Sequence, residues 1–89
     1  MIRVRIPEED WTALIDFVRA QRLRQFGIEV AVGTAEPHGA DRIIAFRSPD
    51  AVKSLIDKIS SYARTWEMPG AVSLNRVLPR LYKALANAS

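Results

Sequence analysis

At 89 residues, with 48% hydrophobic and 26% charged side chains, the chain is sized for one domain and one core and is too apolar for a disordered segment. It has no cysteine, which excludes disulfides and thiolate metal ligands and fits a reducing compartment, so a cytoplasmic protein is expected. The net charge of +3 arises late: residues 1–48 hold seven arginines against seven acids, and residues 49–89 hold six bases against three acids, which is weak ground for a polyanion partner.

The opening MIRVRIPEEDW turns acidic at once and does not read as a signal peptide. No apolar run reaches the roughly 18 residues of a membrane span, so no membrane partner is expected. IRVRI alternates, with Ile2, Val4 and Ile6 on one side and Arg3 and Arg5 on the other, the pattern of a half-buried strand. Pro7 and the acids Glu8, Glu9 and Asp10 suit a helix start, and Trp11, Leu14, Ile15 and Val18 recur at helical spacing. A helix is predicted over residues 7–25, closed by Gly27 as a left-handed cap.

Within RAQRLRQFG, Arg19, Arg22 and Arg24 fall in the last two turns of that helix, where cations are favoured by the helix dipole. At 3.6 residues per turn, Arg22 lies only about 20° from Trp11, on the line of the apolar stripe. It is therefore kept as a candidate binding residue.

IEVAVGT, residues 28–34, alternates again and predicts a strand with Ile28, Val30 and Val32 on one face. AEPHGA is a polar turn segment, and RIIAFR, residues 42–47, is the next strand, with Ile44 and Phe46 inward. The pair reads as a hairpin with a longer loop. Ser48, Pro49 and Asp50 are N-cap, first helical position and first turn of a helix over residues 48–66. Its stripe runs through Val52, Leu55, Ile56, Ile59, Tyr62, Ala63 and Trp66, and both aromatics are expected in the core. AVSLNRV, residues 71–77, is predicted as a strand with Val72 and Leu74 inward. PRLYKALANA is then a short helix from Pro79, because one continuous helix would hold that proline inside at a cost of roughly 3 kcal/mol.

The resulting order is β-α-β-β-α-β plus a C-terminal helix, a single α+β domain over residues 1–89. The fold expected is a ferredoxin-like two-layer sandwich, with two helices on one face of a four-stranded antiparallel sheet. If the last strand fails, a three-stranded α+β sandwich remains. The arrangement hosts many unrelated functions and licenses none by itself.

For chemistry, the only histidine is His38, with Glu36, Asp41 and Arg42 near it in sequence. The spacing matches no metal motif, and the chain has no Gly-rich phosphate loop and no G-x-S-x-G elbow. No catalytic activity, no cofactor and no metal are expected. The open sheet face is predicted to carry Arg3, Arg5, Glu29, Ala31, Gly33, Ile43, Ala45, Arg47 and Ser73, with arginines but no aromatic to stack bases. The favoured reading is thus a non-enzymatic interaction module. It would form a homodimer or dock a protein partner through the open sheet face and the C-terminal helix, using Arg3, Arg5, Arg47, Arg22, Ile43 and Tyr82. The second reading is an anion or nucleic-acid binder using Arg3, Arg5 and Arg47.

Overall fold

The computed structural model describes residues 1–64 and 67–88; the expected core position of Trp66 lies outside the described residues. The chain forms β1 (Ile2–Pro7), α1 (Glu8–Ala20), a 3-10 turn (Gln25–Gly27), α2 (Ile28–Gly33), β2 (Glu36–His38), β3 (Asp41–Phe46), α3 (Pro49–Tyr62) and α4 (Ala71–Ala88). The fold is α+β, with one antiparallel sheet in the order β1-β3-β2. Among the described residues three strands are found, not the four of the ferredoxin-like arrangement.

β1 follows its alternation: Ile2, Val4 and Ile6 are buried, and Arg3 and Arg5 are exposed. α1 opens on Glu8, Glu9 and Asp10 and buries Leu14, Ile15 and Val18, as its spacing requires. It stops at Ala20, earlier than residue 25. Arg22 stands in the left-handed region at φ 53°, Arg22 N–H bonds to Arg19 C=O, and Leu23 N–H reaches Val18 C=O. This is a Schellman closure with Leu23, 3% exposed, as its apolar contact. Arg22 is therefore past the helix and not on its apolar stripe. Gly27 does take a left-handed φ of 68°, but it caps the start of α2 instead of closing α1.

The segment read as a second strand is α2. Ile28, Ala31 and Val32 are buried at helical spacing, while Val30, the centre of the apparent alternation, is 62% exposed. Short apolar runs are ambiguous between the two periods, and here the tertiary contacts decide. The indole of Trp11 donates to the Val32 carbonyl at 2.8 Å, which ties the end of α2 to α1. The second strand lies instead in the segment read as a turn, at Glu36–His38. It pairs with β3 across Gly39 and Ala40, a tight connection in place of the long loop. Gly39, at φ 63°, supplies the left-handed first position of a II′-type turn.

β3 turns Ile44 and Phe46 inward as expected. In α3, Ser48 accepts a bond from Ala51 N–H, Pro49 begins the helix, and Val52, Leu55, Ile56 and Ile59 are buried. Tyr62 packs its ring 4.9 Å from that of Phe17 and stays half-buried.

The largest departure is α4, one helix from Ala71 to Ala88 with Pro79 inside it. The predicted strand over residues 71–77 does not form. Ala71, Leu74, Val77 and Leu81 are buried at helical spacing, and Val72, expected inward, is 51% exposed. Burying a Leu or Val side chain contributes about 1.5–3 kcal/mol. Helical spacing puts Ala71, Leu74, Val77 and Leu81 on one buried stripe continuous with the core, and that face offsets the roughly 3 kcal/mol that an interior proline costs. Pro79 is exposed, so its ring disturbs no packing. α4 packs against α3, α1 and β1, and its stripe joins the same core as the sheet and α3. In the four-stranded arrangement the last strand would pair with β1; no described strand does so, and α4 flanks that edge across a cleft.

An ion pair holds α4 in place. Asp10, in the first turn of α1, is 1% exposed and accepts from Arg76 Nη2 at 2.8 Å and Nε at 3.1 Å. The Asp10 carboxylate raises the affinity of the Arg76 guanidinium for its proton, mainly through these bonds. At the same end of β1, Arg42 on the core face of β3 lies 4.2 Å over the Trp11 ring. It also pairs with Glu8 at 2.6 Å, and this bond holds the Glu8 carboxyl below its ordinary value.

Candidate docking surface along β1

Strand alternation leaves one face of the sheet bare. Arg3 stands opposite Ala45 and Arg5 opposite Ile43, so these four side chains share the face turned away from the core. Arg3 and Arg5 are exposed, and Ile43 and Ala45 half-buried. Arg5 Nε pairs with Asp41 at 2.6 Å. A cleft on this face is lined by Arg3, Thr34, Glu36, Ile43 and Ala45. Glu29, Ala31 and Gly33 sit on α2 and Ser73 on α4, so they are not on the strands that carry this face.

The same logic fixes the edge. The hairpin closes on His38 and Asp41, and a two-residue connection closes on a pair that exchanges hydrogen bonds. Asp41 and Ile43 thus turn their backbone groups to β2, and Arg42, Ile44 and Phe46 turn theirs to β1. Their partners Ile6, Val4 and Ile2 face β3, which leaves the N–H and C=O of Arg3 and Arg5 pointing outward. An independent contact agrees: Arg80 Nη1, on α4, donates to the Arg5 carbonyl at 2.9 Å. Across the sheet, Glu36 and His38 face β3, so Pro37 turns its ring, without an N–H, to the β2 edge.

Between the β1 edge and α4 runs a cleft of about 250 Å³ lined by Arg3, Val4, Arg5, Arg80, Lys83, Ala84 and Asn87. Four cations surround it, and among the described residues no acid lines it. Among the described residues no ion pair or side-chain hydrogen bond involves Arg3 or Lys83. Of the sequence candidates, Arg3 and Arg5 line this cleft, and Ile43 stands opposite Arg5 on the adjoining sheet face. Arg47 lies elsewhere, its guanidinium packed over Gly27, where an added Cβ would stand 3.2 Å from Arg47 Nε. Arg22 belongs to the closure of α1. Tyr82, 54% exposed, borders a separate groove with Pro49, Lys53 and Leu85. Sequence reading missed Arg80, Lys83 and Asn87. Their spacing at i, i+3 and i+7 was the available signal, since it places them along one face of a helix.

His38 is exposed, and the acid opposite it on β3, Asp41, is engaged by Arg5. Among the described residues no group of three or more His, Cys, Asp or Glu side chains is placed to hold a metal ion. No helix is long and apolar enough to cross a membrane among the described residues. In comparisons with family models, curated proteins and solved structures, none matches the chain.

Proposed function

We propose that the chain is a small non-enzymatic docking module that takes an acidic protein segment on the β1 side of its sheet. The observation that carries this reading is the cleft bounded by Arg3, Arg5, Arg80 and Lys83, with Asp41 as the one acid among the described residues paired to any of them. Electrostatic complementarity selects partners and speeds encounter. It also weighs against self-association through this surface, because a twofold axis would bring these cations against their own copies. The bare sheet face offers arginines with no aromatic among its described residues, which favours a carboxylate-bearing protein over stacked bases.

Fluorescence anisotropy with a labelled octaglutamate peptide and an oligothymidylate of equal charge tests the reading. The expected result is peptide binding that weakens with salt and falls at least about tenfold in the Arg3→Glu, Lys83→Glu double variant. Tighter binding of the oligothymidylate, or peptide binding indifferent to the double variant, overturns it.

A further inference from the structure

The free edge of β1 carries a feature that charge alone does not use. Arg3 and Arg5 present outward backbone N–H groups, and among the described residues the Arg5 carbonyl is held only by the Arg80 side chain. A strand edge with unpaired donors and acceptors is a template for another extended chain. The other edge is closed to this by its shortness and by Pro37. Charge decides what β1 can accept. A second copy pairing β1 with β1 would set Arg3 and Arg5 against like charges, and cross-strand like-charge pairs are unfavourable. An acidic strand reverses that sign.

We infer that the acidic segment binds as an added fourth strand on the free edge of β1, between the sheet and α4, with Arg80 leaving the Arg5 carbonyl to a partner N–H. This rests on the docking reading above and specifies its geometry. Residues opposite Arg3 and Arg5 share their face of the sheet, so the partner carries acids at those positions. The residue between them faces the other way, toward Val4 and Ala84, and is small and apolar. The recognised pattern is therefore acidic–apolar–acidic in an extended chain. Main-chain bonds supply affinity and the alternating side chains supply selectivity, as in other strand-addition complexes.

The probe is an acetylated, amidated Gly-Glu-Val-Glu-Val-Glu-Gly peptide, compared with the same peptide N-methylated at the amides that face β1, and with octaglutamate. N-methylation leaves the charge intact and removes the donors. The expected result is a loss of about tenfold or more in affinity on N-methylation. Amide exchange at Arg3 and Arg5 should slow by at least about tenfold in the complex of the full chain with the unmodified peptide. Equal affinity of the two alternating peptides, with no added protection at Arg3 and Arg5, overturns strand addition while leaving basic docking intact. Failure of all three peptides to bind at low salt overturns docking and strand addition together.

Discussion

At one edge of the sheet a three-residue strand, β2, turns Pro37 outward; at the other a six-residue strand, β1, turns outward the amides of Arg3 and Arg5 among cations. Both are recognised ways to protect a sheet edge, but they exclude different things. Proline removes the donor and refuses every strand. Positive charge refuses a copy of itself and leaves an opposite charge welcome. Protection by charge is thus selective where protection by proline is not, and this difference makes β1 the side on which to look for a partner.

The most severe way to break the comparison is to move proline into β1. Val4→Pro removes a bond to β3 and a buried side chain, and should destabilise by more than about 3 kcal/mol in urea unfolding followed by circular dichroism. Arg3→Pro copies the β2 device onto β1, because the Arg3 N–H faces outward. It should change stability by no more than about 1 kcal/mol and abolish protection of that edge by the peptide. If the two variants are equally damaging, the assignment of outward residues is wrong.

The second test concerns the brace beside β1. Asp10→Ala removes the buried partner of Arg76 and leaves Arg76 only the longer, exposed pair with Glu9 at 3.6 Å. A fall in Tm of about 10 °C is expected by calorimetry. An unchanged Tm would mean that the apolar stripe alone holds α4 beside the edge.

On the core face of β3, the Glu8–Arg42 pair gives a pH signature. Glu8 is held below its ordinary value of 4.5, so its contribution is complete above that value and is lost as pH falls through the lower folded one. Urea midpoints measured between about pH 6 and about pH 3 should therefore drop less in Glu8→Gln than in the wild type. Arg42 is shifted upward by the same contact, so its side of the pair persists throughout that range.

The smaller effects sharpen the β2 side. Arg22→Gly relieves a left-handed residue in the closure that leads toward α2, and should stabilise by about 0.5–1 kcal/mol in urea unfolding. Pro37→Ala should lower stability by only about 0.5 kcal/mol. Because it restores an N–H to the β2 edge, it should also add concentration-dependent association in light scattering.

The legible elements were those with one strong local pattern. β1 alternates and one face is buried, so its register admits one solution. α3 has a cap, a proline at its start and a full apolar stripe, and all three agree. The misread elements each had two patterns in competition. In residues 28–34, alternation of β-branched residues competed with Ile28, Ala31 and Val32 at helical spacing, and the core chose the second. In residues 71–88 the proline rule competed with a long stripe, and burial was the larger quantity. β2 was hidden because Glu36, Pro37 and His38 are exposed and carry no apolar period at all. Its pairing with β3 comes from backbone bonds and from Gly39.

By itself the sequence determined that this is a small α+β domain, that Arg3 and Arg5 stand on the outer face of its first strand, and that Ile43 lies on the same bare face. Alternation and binary patterning are local properties, and they survive in any fold that buries Ile2, Val4 and Ile6. Only the tertiary structure decided that β1 is an edge and that Arg80 and Lys83 come to stand beside it. Those facts depend on where residues 71–88 go, and that was settled in the core, which accepts the whole apolar stripe of one continuous helix in spite of Pro79.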